Sequence, residues 1–192
     1  MSKPQVIFML GGPGAGKGTI CKYIVEKYKF ATFSTGELLR NVVKEKKDKN
    51  WEKLDSDMKE GKLISSERVL LYLKDAILKT DQKIIFVDGY PRNEENVKVW
   101  DKIMSDFVDL KAVFFLDCSH ELMKKRIYKR KDDRFDDNEE TIKKRINVFE
   151  KETKPLIPLF KEKGLLINID CHKEFDDIFI EVDNVLKDLK LI

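Results

Sequence analysis

A glycine-rich stretch with a single lysine, Lys17, runs from Gly11 to Thr19. The apolar run Val6–Leu10 precedes it, and an amphipathic segment that begins at Ile20 follows it. Small residues between a strand and a helix let backbone N–H groups point inward, and the helix start adds its own unsatisfied amides. Such a loop binds phosphate, with the lysine charge directed at the outer phosphates. The predicted phosphate loop consists of Gly12, Pro13, Gly14, Ala15, Gly16, Lys17, Gly18 and Thr19.

A carboxylate at the end of another apolar run is a candidate for holding a metal ion. Asp88 follows Ile84–Val87 and precedes Gly89. Ligands bind outside the carboxyl ends of parallel strands, where an acidic side chain can hold Mg²⁺ through its water shell. A simple turn residue is the other interpretation, and the phosphate loop favours the metal. In that loop Gly18 replaces the Ser or Thr that usually binds magnesium, which indicates a subgroup of phosphate-binding proteins.

Arginine side chains are the remaining candidates for phosphate contacts. Arg92 follows a Gly-Tyr-Pro turn that directs it back across the strand ends, and its planar charged fork suits a pair of phosphate oxygens. Arg40, taken alone, is a solvated residue of a helix. A further group of arginines surrounds an acidic run at residues 132–137, and this alternation of charge predicts a lid for a highly charged ligand. The members of the group are Arg126, Arg130, Arg134 and Arg145.

The chain shows no evident general base beside these arginines. Its two histidines, His120 and His172, lie where a helix start and a loop are expected. Phosphoryl transfer to an alcohol usually needs a carboxylate that takes the hydroxyl proton, whereas a phosphate acceptor is already ionised. Positioning and charge neutralisation then supply almost all of the catalysis. The residues therefore favour an acceptor that is itself a phosphate.

The composition indicates one well-solvated domain. The chain has 192 residues, a formal net charge of +3 and 38% charged residues, a balance that gives no argument for nucleic acid or a membrane surface as partner. No apolar run approaches the roughly 20 residues of a membrane span, and no signal-type segment is expected. The three cysteines, Cys21, Cys118 and Cys171, fit neither a disulfide framework nor a metal site. We expect them to be reduced, buried thiols of a cytosolic protein.

Short apolar runs alternate with segments of helical periodicity, which predicts an α/β fold with a parallel sheet of about five strands. Continuously apolar runs are typical of strands covered on both faces. They lie at Val6–Leu10, Phe30–Phe33, Ile84–Val87, Ala112–Leu116 and Leu165–Ile169. Residues 34–67 form a polar helical insertion, and Ser34 with Glu37 predicts the cap of its first helix. Asp137 with Glu140 predicts a similar cap for a later helix.

Blocks of sequence along the whole chain together resemble the nucleoside monophosphate kinases. They are Gly11–Thr19, Ser34–Arg40, Asp88–Arg92 and Arg134–Asn138. The resemblance implies a P-loop three-layer sandwich with a five-stranded parallel sheet of order 2-3-1-4-5. It also implies one kinase domain, residues 1–192, with a core (1–33, 68–129 and 139–192), a helical monophosphate-binding arm (34–67) and a short lid (130–138).

The same resemblance implies roles for individual residues. ATP would bind to the loop at residues 12–19 and to Arg126 and Arg130. The monophosphate would contact Thr35, Gly36, Arg40, Ile64, Gly89, Arg92, Asn96, Arg134 and Arg145. Catalysis would depend on Lys17, Arg92, Arg126, Arg130, Arg134 and Arg145. Asp88 would hold Mg²⁺ through water, while Asp136 and Asp137 would order the lid arginines.

Few residues distinguish the acceptors within this family. UMP-CMP kinases carry Asn at the position of Asn96 and adenylate kinases carry Gln, and such an amide can read a base edge as both donor and acceptor. Asn93 and Trp100 also match the UMP-CMP kinases, whereas Thr35 matches the adenylate kinases. We favour transfer from Mg-ATP to UMP or CMP, with dCMP as a further acceptor. Adenylate kinase, which converts ATP and AMP to ADP, is the alternative.

The chain departs from the family pattern in its lid and arm. The spacing from Arg130 to Arg134 is shorter and more charged than in short-lid relatives, Ser65 replaces a proline, and Ile20 replaces a glutamine. A nucleotide-binding module without catalysis is a third hypothesis, but it would be expected to lack residues such as Lys17. The expected partners are small nucleotides rather than nucleic acid or membrane. We expect a monomer in the cytoplasm, with the nucleus as a second location.

Overall fold

Parallel strands form a single sheet at the centre of the protein. The structure, a computed structural model, describes residues 3–129 and 138–192. Its strands are β1 (Gln5–Leu10), β2 (Ala31–Ser34), β3 (Ile84–Asp88), β4 (Asp109–Asp117) and β5 (Leu166–Asp170). They form a five-stranded sheet in the order β2-β3-β1-β4-β5, and each neighbouring pair is parallel. The predicted α/β fold and strand order are confirmed.

Helices connect the strands. They are α1 (Lys17–Tyr28), α2 (Thr35–Lys44), α3 (Trp51–Lys59), α4 (Ser66–Leu78), α5 (Glu94–Ile103), α6 (His120–Tyr128), α7 (Glu139–Val148), α8 (Leu156–Glu162) and α9 (Phe175–Asp188). A π-helical turn, Phe149–Thr153, joins α7 to the start of α8. Val6–Leu10 of the central strand is buried along its whole length, as its continuous apolar sequence predicts. Across the described parts of the chain, every helix is too short or too polar to cross a lipid bilayer.

Each strand differs from its predicted apolar run by one to three residues at one end or at both, and β4 and β2 show why. β4 begins at Asp109 rather than Ala112, because the residues before Ala112 already pair with β1 ahead of a register shift. β2 covers Ala31–Ser34 rather than Phe30–Phe33, because its last residue pairs with Asp88. Strand pairing therefore sets these ends, whereas the apolar pattern reports only the buried centre of each strand.

The register of the sheet brings the carboxyl ends of β1, β2 and β3 side by side. Asp88 lies opposite Met9 of β1 and opposite Ser34 of β2. The glycine-rich loop follows β1 directly, and α2 follows β2 directly. The loop, Asp88 and the first turn of α2 therefore meet at one edge of the sheet, where parallel sheets commonly bind ligands.

The segment between β2 and β3 has a small apolar cluster of its own. The cluster consists of Leu39, Val42, Leu54 and Met58 from α2 and α3. Ser34 caps α2 as predicted, and its Oγ accepts a hydrogen bond from the Glu37 N–H at 3.5 Å. The carboxylate of Asp48 accepts hydrogen bonds from Arg68 Nε, at 3.0 Å, and from the Tyr72 hydroxyl. These contacts hold the loop between α2 and α3 against α4.

The cap of α7 lies one residue later than predicted. Asn138 is the N-cap, and its Oδ1 accepts a hydrogen bond from the Thr141 N–H at 2.9 Å. The prediction that Asp137 and Glu140 form the cap is therefore wrong, since asparagine is an equally good cap and stands directly before the helix. The predicted lid residues 130–137, among them Arg130, Arg134, Asp136 and Asp137, lie outside the residues that the structure describes.

Candidate active site

A cavity of about 720 Å³ opens at the carboxyl ends of the strands. It lies between the glycine-rich loop, the first turn of α2, the turn after β3, and α7. The predicted site residues that line it are Pro13, Gly14, Gly16, Lys17, Gly18, Thr19, Gly36, Arg40, Ile64, Asp88, Gly89, Arg92, Arg126 and Arg145. Gly12 and Ala15, which belong to the same loop, are buried. The fold therefore gathers residues that are far apart in the sequence around one cavity.

The loop requires glycine where its backbone approaches α6. Gly14 has a φ of 80°, and a Cβ there would lie 2.4 Å from the carbonyl oxygen of Met123. Gly16, with a φ of 109°, is the N-cap of α1 and needs the same left-handed freedom. A Cβ at Gly18, by contrast, would have no described atom within 4 Å. The position where most phosphate loops carry a magnesium-binding hydroxyl is therefore open space here.

Lys17 is the first residue of α1 and reaches back over the loop. Its Nζ donates hydrogen bonds to the carbonyl oxygens of Gly11, at 2.7 Å, and Gly12, at 3.0 Å. These contacts hold the ammonium group at the strand end rather than in bulk solvent. Phosphate oxygens entering the cavity would be alternative acceptors for the same donors. The lysine is therefore positioned to exchange loop carbonyls for phosphate.

Asp88 carries a buried oxygen without a partner. Among the described residues, its Oδ1 makes no hydrogen bond although it is shielded from solvent. A buried, unpaired carboxylate oxygen costs free energy, which points to an ion or a water as its partner. Mg²⁺ prefers oxygen ligands and commonly keeps several waters, so this oxygen fits a magnesium ion held through water. The backbone at the site is fixed by Thr35, whose Oγ1 donates to the carbonyls of Asp88 at 3.2 Å and Gly89 at 3.0 Å.

Arg92 is held in place from several sides. Its Nε donates to the carbonyl oxygen of Gly89 at 3.0 Å, and its own carbonyl accepts from Thr153 Oγ1 at 2.8 Å. Burial lowers the pKa of its guanidinium, and the charge of Arg40 acts in the same direction, while Asp88 opposes both. Arginine nevertheless remains charged in proteins. The side chain therefore carries a partly desolvated positive charge into the cavity, where an anion would be favoured.

Arg40 and Arg145 bring further positive charge to the cavity from separate helices. Arg40 lies in α2 and Arg145 in α7, and both half-buried side chains line the cavity wall. A Cβ at Gly36 would lie 3.4 Å from Arg40 Nη1, so the glycine leaves room for the guanidinium. Positive groups thus converge from α2, from the turn after β3 and from α7, as a site for several phosphates requires. Arg130 and Arg134 lie outside the described ranges and stay expectations.

Arg126 of α6 bonds to two backbone carbonyls and stacks on an aromatic ring. Its Nη1 donates to the carbonyl oxygen of Ala15 at 3.1 Å, and its Nη2 donates to that of Cys171 at 3.0 Å. The guanidinium carbon lies 4.7 Å from the ring centroid of Phe175, the first residue of α9. In the sequence Phe175 is one member of an apolar helical stripe, and no local pattern distinguishes it. The structure assigns it the additional task of fixing the plane of Arg126.

A smaller cavity, of about 20 Å³, adjoins the larger one and is lined by Thr35, Ile64 and Asn96. Asn96 is only 4% exposed, and its Oδ1 accepts from the Arg92 N–H at 2.9 Å while its Nδ2 donates to Ser66 Oγ at 2.7 Å. The hydroxyl of Thr35 is used by the backbone carbonyls after β3. Sequence reasoning missed Ser66, because a serine at a helix start is usually only a cap.

Comparisons with known proteins agree with this arrangement. The family model described as adenylate kinase matches residues 9–165. The chain is 38% identical over 192 residues to the UMP-CMP kinase of Danio rerio, covering 96% of this chain and 98% of that protein. It is 40% identical over 187 residues to the UMP-CMP kinase of Homo sapiens (94% and 95% covered) and 42% identical over 180 residues to UMP-CMP kinase 3 of Arabidopsis thaliana (94% and 88%). The chain therefore belongs to the adenylate kinase family.

Proposed function

We propose that the protein transfers a phosphoryl group from Mg-ATP to UMP or CMP, and that it also accepts dCMP. The observation that carries this proposal is the similarity to UMP-CMP kinases of animals and a plant over nearly the whole chain. Membership of the family makes the chain a nucleoside monophosphate kinase, a phosphotransferase that acts on small nucleotides. The choice of a pyrimidine acceptor rests on these relatives and on Asn96.

The donor phosphates bind to the glycine-rich loop and the first turn of α1. Lys17, now bonded to loop carbonyls, turns to the outer phosphates of ATP. Arg126, stacked on Phe175 and bonded to the loop at Ala15, lies beside the donor base. Gly18 leaves this part of the cavity open, so a hydroxyl ligand for the metal is missing at that position.

Asp88 would hold magnesium through its water shell, with the oxygen that has no hydrogen-bond partner among the described residues. Bound Mg²⁺ would neutralise charge on the transferring phosphates. The fixed backbone at Asp88, which Thr35 secures, keeps the carboxylate at the strand end beside the loop. This role requires no movement of β3.

The acceptor phosphate lies among Arg40, Arg92 and Arg145, which line the same cavity as the loop. Its oxygen is already ionised, so the attack on the γ-phosphorus needs no general base. The arginines hold donor and acceptor phosphates close and in line, and they offset the mutual repulsion of the two anions. The acceptor base extends toward Ile64 and Asn96. Arg130 and Arg134 complete the site from the lid.

Adenylate kinase activity is the alternative, and in the sequence it was supported by Thr35. In the structure the Thr35 hydroxyl serves the backbone of Asp88 and Gly89, which is a structural task that any acceptor tolerates. This observation reduces the weight of Thr35 as a marker of AMP. We further propose a monomer that supplies pyrimidine diphosphates in the cytoplasm, a reducing compartment in which free, buried cysteines are usual.

A competition assay tests the proposed function. The protein is incubated with Mg-ATP and an equimolar mixture of UMP, CMP and AMP, and the diphosphates are separated by chromatography at low conversion. UDP and CDP should form first, and their formation should stop when magnesium is chelated. Preferential loss of AMP would support adenylate kinase instead, and no diphosphate at all would support a binding module without catalysis.

A further inference from the structure

Two buried polar side chains join α4 to α5 next to the smaller cavity. Ser66, the first residue of α4, is 1% exposed, and Asn96 of α5 is 4% exposed. Their side chains are bonded to each other at 2.7 Å, from Asn96 Nδ2 to Ser66 Oγ. Buried polar groups cost free energy unless they are paired, so this hydrogen bond stabilises both side chains in the core.

The partners at both ends of the network fix the orientation of the Asn96 amide. The Ser66 hydroxyl donates to Glu95 Oε2 at 2.9 Å, and since a carboxylate only accepts, the serine oxygen is left to accept from Asn96. At the other end the backbone N–H of Arg92 only donates, so it must meet the amide oxygen, as it does at 2.9 Å. Flipping the amide would place two donors face to face at Arg92 and would leave Ser66 without its donor.

A locked amide has a fixed donor and a fixed acceptor still available. One Nδ2 hydrogen and one lone pair of Oδ1 remain after the contacts to Ser66 and Arg92 are counted. Uracil presents a donor at N3 and an acceptor at O4, whereas cytosine presents an acceptor at N3 and a donor at N4. The two bases therefore present donor and acceptor in opposite order along the same edge. An amide of fixed orientation cannot form both hydrogen bonds with uracil and with cytosine in the same position.

We propose that Ser66 and Glu95 are positioning residues that lock the Asn96 amide and thereby set the relative use of UMP and CMP. The inference rests on the proposed function, in which Asn96 faces the acceptor base. Ser66 acts only through Asn96, since its oxygen is occupied by Asn96 and Glu95. Glu95 is exposed and acts one step further away, by fixing the direction of the serine hydroxyl.

The test compares Ser66→Ala with Ser65→Ala. Ser65 precedes it in the chain, and its side chain makes no capping hydrogen bond, so it is a matched control. For each variant, kcat and KM are measured with UMP, CMP and ATP. Ser66→Ala should change the UMP-to-CMP ratio of kcat/KM by about three- to ten-fold, the range expected when one buried hydrogen bond that orients a reading group is lost. The KM for ATP, and all constants of Ser65→Ala, should stay within about two-fold, as expected for sites away from the lost bond.

A structural role alone would give a different pattern. If Ser66→Ala lowers the thermal unfolding midpoint and raises the KM for UMP and CMP by the same factor, the proposed positioning role of Ser66 is refuted. Glu95→Gln provides a second variant that should fold, because the side chain is exposed. Its amide can donate as well as accept, so the hydroxyl direction is no longer fixed and the ratio should shift in the same sense as in Ser66→Ala. An unchanged ratio in Glu95→Gln would also count against the proposal.

Measurements on the unaltered protein distinguish a failure of the proposed function from a failure of the positioning role. If it prefers AMP to both pyrimidine nucleotides, the proposed function fails whatever the Ser66 variants do. If it prefers UMP and CMP but the ratio does not respond to Ser66→Ala or Glu95→Gln, only the positioning role of the network fails.

Discussion

Single residues in the cavity carry charges that are partly removed from solvent. Asp88 has a buried oxygen without a partner in the described structure, and Arg92 has its pKa lowered by burial. Lys17 donates hydrogen bonds to two carbonyl oxygens of its own loop. Residues of this kind cost stability and are concentrated at functional sites. Substitutions here should therefore separate activity from stability.

Lys17→Ala should abolish turnover and leave the fold intact. The side chain faces the cavity rather than the core, so its loss removes charge from the phosphates but little packing. We expect kcat to fall by about 10²–10³-fold or more, as for the loss of an electrostatic group in other transition states. The unfolding midpoint should match that of Lys187→Ala, a change of an exposed lysine in α9. Retained activity combined with a large loss of thermal stability would overturn the role of Lys17.

Asp88→Asn should lower activity with little effect on stability. The substitution keeps the size of the side chain and removes a charge whose Oδ1 has no hydrogen-bond partner among the described residues, but it also removes the attraction of this carboxylate for Arg92. Because these two effects oppose each other, we expect the free energy of unfolding to change by less than about 1 kcal/mol. The magnesium concentration needed for half-maximal rate should rise. A clear loss of stability with an unchanged magnesium requirement would contradict this assignment.

Secondary-structure elements position the site by contacts that the sequence pattern does not encode. Arg126 of α6 is fixed between the loop, the end of β5 and the first turn of α9. The apolar periodicity predicted α9 itself, but the same stripe contains Phe175 and residues that serve only the core. Which residue of this stripe contacts the site depends on how α9 packs against its neighbours, and this packing is defined only in the folded chain.

Phe175→Leu should weaken ATP binding selectively. The change keeps an apolar side chain but removes the ring 4.7 Å from the Arg126 guanidinium. Loss of a cation–π contact of about 0.5–2 kcal/mol predicts a two- to thirty-fold rise in the KM for ATP, with an unchanged KM for the monophosphate. Phe179→Leu is the control for helix packing, because Phe179 lies in the same helix and its ring centroid is 4.1 Å from that of Tyr23 and 5.9 Å from that of Phe175. Equal effects of both variants on the KM for ATP would show that only helix packing matters.

In the folded protein as a whole, the cysteine thiols are buried in the core and stay protonated to high pH. Cys21, Cys118 and Cys171 are free and buried, as the sequence predicts. Burial raises the pKa of all three thiols, and that of Cys171 reaches about 12. An unfolded thiol ionises near pH 8.5, so above that value the unfolded chain loses protons that the folded protein keeps. The contribution to stability is therefore complete below about pH 8.5 and declines as the pH rises toward 12.

This linkage predicts a stability that falls at alkaline pH. Urea unfolding at about pH 7.5, 9 and 10, which lie on either side of an ordinary thiol pKa, should give a decreasing free energy of unfolding. Cys171→Ala should be less stable at neutral pH but should show a shallower decline, because one of the linked groups is absent. An identical decline in both proteins would exclude Cys171 as a source.

The fold was predictable at the level of the whole molecule, and the site only in outline. Continuous apolar runs such as Val6–Leu10 identify buried parallel strands, and the glycine-rich loop identifies a phosphate site, because both patterns are local in sequence. The cap at Asn138 and the contact of Ser66 with Asn96 depend on where helices begin and which helices pack together. Sequence periodicity does not contain that information, so these features had to come from the structure.

The central claim is that the acceptor is a pyrimidine nucleoside monophosphate. The most direct test measures kcat/KM with Mg-ATP and each of UMP, CMP, dCMP and AMP in separate reactions. We predict that UMP and CMP exceed AMP by at least about 10²-fold, since a site built to hydrogen-bond one base edge rejects a base that leaves its buried polar groups unpaired. A kcat/KM for AMP equal to or above the values for both UMP and CMP would contradict the claim.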